Sequence, residues 1–452
     1  MPQPHELTVS EAAREIKSKK LSPVELAESL LERIEATDDA LKAWVTIDRE
    51  EVLTNAKQRE EEAERGDIRG ALHGVPVGLK DIFYTAGMKT AAGSKVYADF
   101  VPEFDATCVV KIKEAGGIIL GKAVTTEFAT SDPSPTYNPW NFEHTPGGSS
   151  SGSSVAVATK TVGAALGSQT GGSTCRPAAY NGIVGLKATY GRISRYGVVP
   201  VSWSLDHVGI LVRTVEDAAL MLQVMSGEDA RDPGSSSEPV PDYLIQMNEH
   251  NKPPRIGVVS DYYSDESTPE TWAHTQKVVQ KLKASGAEIV EIGLPHSFGS
   301  CHSAQRIVMN VECAAFHEQF HATQAEDYGP RVRSGMEMGM LVPATKYLQA
   351  MRLRRQFRHD MVQMVGQVDV VLTPATPAPA PNDRTTTGDA SFQVPWTSSG
   401  LPTVTLPSGL SETGMPLAVQ LGGLPFEEGK LLGASKWCEN VLDIRLSPPN
   451  YS

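Results

Sequence analysis

Hydrophobic residues near the N-terminus recur every three or four positions, which is the spacing of one face of a helix. Residues 22–25 (SPVE) form a capping box with proline at the first helical position, and Leu26, Leu30 and Ile34 continue the apolar face. This pattern predicts a helical N-terminal segment over residues 1–66 that wraps the core.

From residue 71 onward the pattern changes to short apolar runs that alternate with helical segments. The helical segments are ATCVVKIKEAG, residues 214–225 and the stretch opened by Thr268-Pro269. The alternation predicts an α/β fold in which one large mixed sheet is layered by helices. The predicted strands lie in GVPVGL, GGIILG, KTVGAALG, HVGILV, RIGVVSD, AEIVEIGLP, VDVVLTPATP and LPTVTLP.

No low-complexity linker and no internal repeat divides the sequence, so we predict a single domain over residues 1–452. Within it, residues 71–215 form the core that carries the chemistry, and residues 252–452 supply the remaining sheet and pocket-forming segments. The loosest stretch, residues 227–243, is predicted to be a surface loop.

Composition narrows the class of protein. A chain of 452 residues with 40% hydrophobic and 21% charged residues is typical of a soluble enzyme, and a net charge of −13 argues against nucleic-acid binding. The first 20 residues lack the apolar core of a signal peptide, and no run approaches the ~18 apolar residues of a membrane span. We therefore expect a cytoplasmic protein without a membrane partner, whose five cysteines are reduced thiols.

Three polar residues suggest a catalytic centre. Lys80 follows the predicted strand GVPVGL, whereas Ser149 and Ser173 lie in two separate glycine-serine loops. A serine hydroxyl needs a base to become a nucleophile, and here the sequence offers a lysine and a second serine in place of a histidine-aspartate pair. These residue types predict a serine hydrolase.

The same residues resemble the amidase signature family of serine hydrolases. The specific similarity covers residues 72–215, and weaker similarity in TPATPAP, LPTVTLPSGL and GMPLAVQLGG extends it towards the C-terminus. The resemblance implies an α/β/α sandwich around a large mixed β-sheet, and amide hydrolysis without a metal or an organic cofactor. Its motifs are GVPVGLK, PGGSSSGS, GSQTGGS, GLKATYGRISRYGVVP and SLDHVG.

The resemblance also implies a role for each of the three residues. Ser173 would be the nucleophile, Ser149 the bridging serine, usually on a cis peptide bond, and Lys80 the base. The chemistry agrees, because Ser149 can take the proton of Ser173 while passing its own to Lys80. Lys80 must then be neutral, which burial favours by lowering its pKa.

The nucleophile loop is expected to supply the oxyanion hole. The backbone N–H groups of Thr170, Gly171, Gly172 and Ser173 can converge on a carbonyl oxygen, since glycine tolerates the positive φ of such a nest. Arg176 has two interpretations: it recognises a substrate carboxylate, as in the malonamide-cleaving branch of the family, or it braces the loop by pairing with an internal acid.

Two positions depart from the family pattern. Many members have aspartate where this chain has Gln169, and arginine where it has Cys175. The departures leave open the hydrogen bonds behind the nucleophile loop and the substrate preference. We expect the pocket walls to come from residues 296–350 and the N-terminal helices, with four aromatic candidates: Phe128, Tyr137, Trp140 and Trp396.

Competing motifs are weaker. A G-x-S-x-G match would make Ser150 the nucleophile, but the polar, proline-broken YNPWNFEHTP precedes it where that motif needs a strand. Residues 167–172 have phosphate-loop glycine spacing without the lysine. His207 belongs to no metal-binding pattern, so we expect no metal site and no nucleotide.

Three functions follow from this sequence. The first is a free-standing amidase for small or medium acyl or aryl amides, with esters and carbamates (urethanes) as further substrates. The alternative is the catalytic subunit of a glutamine-dependent amidotransferase, which passes ammonia to a charged tRNA within a complex; the missing aspartate and the lack of a C-terminal helical extension disfavour it. A binding protein on an inactive scaffold is disfavoured by the intact Lys80, Ser149 and Ser173. Homodimers are common in the family, so the resemblance makes a homodimer an expectation.

Overall fold

A single sheet of eleven strands forms the centre of the protein in a computed structural model, which describes residues 3–451. The strands are β1 (Trp44–Thr46), β2 (Pro76–Lys80), β3 (Ile118–Ala123), β4 (Ala164–Gln169), β5 (Val184–Lys187), β6 (His207–Val212), β7 (Arg255–Val258), β8 (Glu288–Glu291), β9 (Val370–Pro374), β10 (Thr403–Leu410) and β11 (Pro416–Gly422).

Helices flank this sheet. The described residues form α1 (Val9–Lys17), α2 (Pro23–Leu41), α3 (Arg49–Arg65), α4 (Thr107–Glu114), α5 (Ser151–Ala158), α6 (Cys175–Asn181), α7 (Val215–Met225), α8 (Tyr243–Glu249), α9 (Tyr263–Glu266), α10 (Pro269–Ala284), α11 (Cys301–Gln324), α12 (Pro330–Met340), α13 (Ala344–Val365), α14 (Val394–Ser399) and α15 (Glu428–Leu442). Four short 3-10 helices lie at Pro4–Glu6, Glu127–Ala129, His296–Ser300 and Ala325–Asp327.

The strand order is β1-β3-β2-β4-β6-β5-β10-β11-β9-β7-β8. Strands β2, β3 and β4 pair in parallel, as do β7, β8 and β9, whereas the central strands β6, β5, β10 and β11 pair antiparallel. The predicted α/β fold with a large mixed sheet is confirmed. Strands β2, β3, β4 and β6 are buried at every position, which explains their continuous apolar runs.

The N-terminal capping box is confirmed at the start of α2. The Ser22 side chain accepts hydrogen bonds from the backbone of Val24 and Glu25, and the Glu25 carboxylate accepts one from Ser22 N. The segment predicted as helical also contributes β1, which pairs with β3. A three-residue strand is too short for periodicity to reveal. Because β1 joins the sheet that also holds β10 and β11, it supports our proposal of a single domain.

The predicted surface loop at 227–243 precedes α8 and is anchored at both of its buried aspartates. Asp229 accepts a hydrogen bond from Ser194 Oγ at 2.7 Å, and Asp232 forms an ion pair with Arg195 at 2.6 Å. All five cysteines are buried and free of disulfides. Between residues 3 and 451, no helix is both long and apolar enough to cross a membrane.

Candidate active site

Lys80 is the last residue of β2, and the sheet register decides which residues it meets. Strand β2 pairs in parallel with β4, so both strands end at the same edge of the sheet. Lys80 Nζ lies 2.7 Å from Ser149 Oγ and 2.8 Å from Ser168 Oγ, both within hydrogen-bond distance. The lysine therefore contacts one of its predicted partners directly.

Electrostatics favour a neutral amine at Lys80. The side chain is fully buried, and this burial lowers the pKa of Lys80 well below its ordinary value, while the charge of Asp206 opposes the shift. Asp206 itself accepts hydrogen bonds from Thr170 Oγ1 and from the backbone of Val201 and Ser202. Burial raises the pKa of Asp206 to about 6. Asp206 thus acts on Lys80 at longer range.

Ser149 follows a cis peptide bond from Gly148, as the resemblance implied. Its side chain is fully buried, whereas that of Ser173 is 9% exposed. The two loops touch through a hydrogen bond from Ser150 N to Ser173 O at 3.3 Å. No hydrogen bond joins the Ser149 and Ser173 hydroxyls in the part of the chain that the structure describes. Such contacts are often long in enzymes without substrate.

In the nucleophile loop, the carbonyl groups of Thr170 and Gly171 accept hydrogen bonds, whereas the N–H groups of residues 171–173 have no acceptor in the described part of the chain. The Thr170 carbonyl accepts from Gln305 Nε2 at 2.9 Å and the Gly171 carbonyl from Thr397 Oγ1 at 2.7 Å. Among residues 3–451, no acceptor faces the N–H groups of residues 171–173. These free donors fit the part of the predicted oxyanion hole that Gly171, Gly172 and Ser173 supply, and the role of Thr170 stays a prediction.

The positive φ expected of the two loop glycines is wrong, because neither Gly171 nor Gly172 adopts one. Close approach explains one of them instead. A Cβ on Gly172 would lie 2.7 Å from Gln393 Oε1, which real Cβ atoms essentially never do, whereas a Cβ on Gly171 would make only ordinary van der Waals contacts, at 3.9 Å from Val394 Cγ2 and 4.0 Å from Gln305 Nε2. A side chain at position 172 would collide with Gln393, so glycine fits there because it has none. The conformation of the loop therefore depends on the hydrogen bonds that the loop makes.

Gln169 supplies several of these bonds. Its Oε1 accepts from Thr174 N and Cys175 N, each at 2.9 Å, and its Nε2 lies 3.0 Å from Thr397 Oγ1. Gln169 and Cys175 are fully buried. Gln169 therefore links the start of the nucleophile loop to the residues that follow Ser173. Many members of the family were expected to carry aspartate at this position.

We expect Gln169→Leu to lower the free energy of unfolding by about 2 kcal/mol or more, because two buried N–H groups lose their acceptor. Turnover should fall as well, since the same loop carries Ser173. Chemical denaturation and kcat measure the two effects. Thr397→Val is the matched control, because it leaves the two N–H bonds to Gln169 Oε1 in place and removes the contact to Nε2 and the bonds of Thr397 Oγ1 to the carbonyl oxygens of Gly171 and Gln393. A Gln169→Leu protein that denatures like the parent would contradict this role.

Arg176 braces the loop, although not through an acid. Its guanidinium donates to the carbonyl oxygens of Gly388 and Gly148 and to Thr387 Oγ1, with the bond to Gly148 at 2.6 Å. The expected partner was an internal acid, and carbonyl groups take that place. Arg176 also lines the cavity next to Ser173, so substrate recognition by this side chain stays a prediction.

Arg176→Lys separates the two interpretations, because lysine keeps the charge and loses the planar set of donors. Bracing predicts a lower melting temperature and an equal fall in kcat/KM for a neutral and an anionic amide, such as succinamide and succinamate. Carboxylate recognition predicts a selective rise in KM for succinamate. We expect the equal fall, and a selective change would contradict it.

A cavity of about 390 Å³ opens at Ser173. Its far wall comes from α11 and α12, within the predicted 296–350 region, but the N-terminal helices do not contribute. None of its lining side chains among residues 3–451 is aromatic, so the four aromatic candidates are wrong. Phe128 and Trp396 are buried in the core, Trp140 packs on a small apolar cluster, and Tyr137 stacks under Arg384.

Comparison with known proteins agrees with this arrangement. The family model described as Amidase matches residues 25–432. The chain belongs to the amidase family. It is therefore placed among hydrolases of amide carbon–nitrogen bonds, which confirms the resemblance seen in the sequence.

The chain has relatives of known name over almost its whole length. The A subunit of the glutamyl-tRNA(Gln) amidotransferase of Geobacter metallireducens is 37% identical over 466 residues, covering 95% of this chain and 96% of that protein. The protein of the same name from Carboxydothermus hydrogenoformans is 36% identical, covering 98% and 99%.

Solved structures of amidases share the fold. The native peptide amidase of Stenotrophomonas maltophilia has a TM-score of 0.87 at 28% identity, covering 99% of both chains. A protein from a vestigial complex, described as revealing the evolutionary origins of an s-triazine catabolic enzyme, has a TM-score of 0.90 at 30% identity and covers 96% of this chain and 98% of its own.

Sequence reasoning missed two residues of the candidate site. Ser168 lies in the GSQTGGS motif and was given no catalytic role, yet its hydroxyl contacts Lys80. Asp206, which affects the pKa of Lys80, was passed over in SLDHVG in favour of its neighbour His207, which is buried with Nδ1 at 2.6 Å from Leu205 O. The signal was present, because an ionisable residue at the start of an otherwise apolar strand needs a buried partner.

Proposed function

We propose that the chain hydrolyses the carbon–nitrogen bond of a small or medium-sized amide, with Ser173 as nucleophile, Ser149 as bridge and Lys80 as base. One observation supports this most: a fully buried amine lies 2.7 Å from Ser149 Oγ, behind a serine that opens into a cavity. A buried neutral lysine next to a serine has the chemistry of a base.

In the proposed reaction, Ser173 Oγ attacks the carbonyl carbon while its proton moves to Ser149, and the proton of Ser149 moves to Lys80. The negative oxygen is stabilised by the free N–H groups of the nucleophile loop. The intermediate collapses by breaking the carbon–nitrogen bond, and the departing nitrogen takes the proton back from Lys80 through Ser149. Water then cleaves the acyl-enzyme by the same proton route. Esters and carbamates present the same acyl centre, so we include them as further substrates.

The lining of the cavity favours a polar substrate. Arg176 and Arg331 place positive charges at its wall and Asp389 a negative one, and Gln305 and Asn310 add amide groups. Without an aromatic ring to stack on, an aryl group gains less here than an aliphatic amide that carries charged or polar groups.

A second candidate is the glutaminase subunit of a tRNA-dependent amidotransferase. The named sequence relatives favour it over a free-standing amidase, because both carry that name and match nearly full length. The opposite charges of Arg331 and Asp389 also suit the carboxylate and ammonium groups of glutamine. In this case ammonia would pass to a partner protein, and activity of the isolated chain would be low.

A panel assay tests both candidates. The purified chain is given glutamine, aliphatic amides, anilides, esters and carbamates, with Ser173→Ala as the blank, and ammonia or amine release is measured. Turnover of simple amides by the chain alone favours the free-standing amidase. Glutamine hydrolysis that rises only with the partner subunits of such a complex favours the second candidate. No release from any substrate under either condition would contradict the proposed function.

A further inference from the structure

Gln305 is a buried amide side chain on the cavity wall that the proposed reaction does not use. It lies on α11, where residues 305, 309 and 313 recur at the spacing of one helix face and together line the cavity. Gln305 is only 4% exposed, so its polar atoms depend on local partners.

The orientation of this amide follows from its partner. The Thr170 carbonyl oxygen can only accept a hydrogen bond, so the group 2.9 Å from it must be Nε2 and not Oε1. A Cβ on Gly171 would lie 4.0 Å from the same Nε2, which places the amide directly against the nucleophile loop. The other end, Oε1, has no donor among residues 3–451. The side chain therefore presents an unpaired acceptor beside the candidate oxyanion hole.

We infer that Gln305 Oε1 accepts a hydrogen bond from the N–H of the scissile nitrogen of the substrate. The inference rests on the proposed function. The carbonyl oxygen and the nitrogen of an amide share one carbon, so the donors for the oxygen and the acceptor for the N–H must lie close together. Residues 171–173 supply the donors, and Gln305, bonded to Thr170, supplies the acceptor.

This contact selects a class of substrate. Primary and secondary amides and N–H carbamates have the required donor, whereas esters and N,N-disubstituted amides have none. A site built to bind a donor discriminates against analogues without it, because a bound analogue covers the acceptor without pairing it. Gln305 is thus a specificity-determining residue for N–H substrates.

The test compares substrates that differ only at the scissile bond. One series is the 4-nitroanilide of butyric acid, its N-methyl analogue and the 4-nitrophenyl ester; the other is glutamine and its γ-methyl ester. We expect Gln305→Met, and likewise Gln305→Leu, to lower kcat/KM roughly 10- to 100-fold for the N–H substrates. The N-methyl anilide and both esters should fall much less. Loss of the hydrogen bond from Gln305 to Thr170 should lower kcat/KM for every substrate by the same factor. This factor cancels when kcat/KM values for two substrates of the same variant are divided.

Asn310→Ala is the matched control, because Asn310 lines the same wall from the same helix and, among the described residues, makes no hydrogen bond to the nucleophile loop. Its amide-to-ester ratio should equal that of the parent. An equal fall for all substrates in both Gln305 variants would overturn the inference and leave the proposed function intact. A parent protein that hydrolyses no amide of the panel, either alone or with the partner subunits, would overturn both.

Discussion

The Ser173→Ala variant is expected to fold like the parent and to lose turnover by roughly 10⁴-fold or more, as removal of a catalytic serine does in other hydrolases. Ser173 is the accessible member of the three candidate residues, and it lines the cavity together with Thr170, Gly171 and Gly172 of its loop. Alanine keeps the loop and removes only the oxygen that forms the acyl bond. Steady-state kcat on the best substrate of the panel measures the loss.

Ser150→Ala is the matched control, because it changes the neighbour of Ser149 that a G-x-S-x-G motif would make the nucleophile. Ser150 Oγ lies 3.2 Å from Ser168 N and serves the backbone, so the variant should lose stability and retain turnover. Labelling with a fluorophosphonate, followed by peptide mass spectrometry, should modify Ser173. Label on Ser150, or full activity in Ser173→Ala, would contradict the assignment.

Local signals were sufficient for the fold class, whereas the three candidate catalytic residues came from the order of their motifs and from the family resemblance, and their roles stay predictions. Alternation of apolar runs with helical segments predicts an α/β sheet wherever strands are buried on both faces, as β2, β3, β4 and β6 are. Lys80, Ser149 and Ser173 are unremarkable singly, but their order along the chain, one after a strand and two in glycine-serine loops, is the order seen in the family. Such positions carry function more often than packing.

Local signals do not predict residues that reach the candidate site through the pairing of distant strands. Asp206 reaches the site because β4 and β6 pair antiparallel, with Gln169 opposite His207. Ser168 reaches it because β2 and β4 are parallel neighbours. The sequence predicts that these strands exist, but their order depends on contacts between residues far apart in the chain.

The cavity wall shows the same limit for side-chain direction. Phe128 lies next to the cavity-lining Ala129, yet its ring packs at 4.4 Å from His317 and 5.2 Å from Tyr97, inside the core. Residue type alone predicts that an aromatic side chain is buried. It does not predict whether the ring points into the core or into the cavity. Gln305 was missed because a single glutamine in a long helix belongs to no sequence motif.

Lys80→Met is expected to lower kcat by roughly 10²- to 10⁴-fold, the usual contribution of a general base. Methionine fills most of the same buried volume and cannot accept a proton. Lys80→Arg should be equally inactive, since a guanidinium stays protonated at every accessible pH. Circular dichroism and thermal melting show whether either variant is folded. Full activity of the Met variant across the pH range would exclude Lys80 as the base.

The pH dependence has a definite direction. Only the neutral amine can accept the proton, so kcat/KM should rise with pH through the pKa of Lys80 and then level off; because burial lowers that pKa, the rise should end well below the range of an ordinary lysine. Asp206 stabilises the protonated amine, so Asp206→Asn, which keeps an oxygen to accept from Thr170, should shift the rise to lower pH. A shift to higher pH would show that Asp206 does not act through the charge of Lys80. An unshifted profile, with the Lys80→Met variant inactive, would mean that the group titrating in kcat/KM is not this lysine.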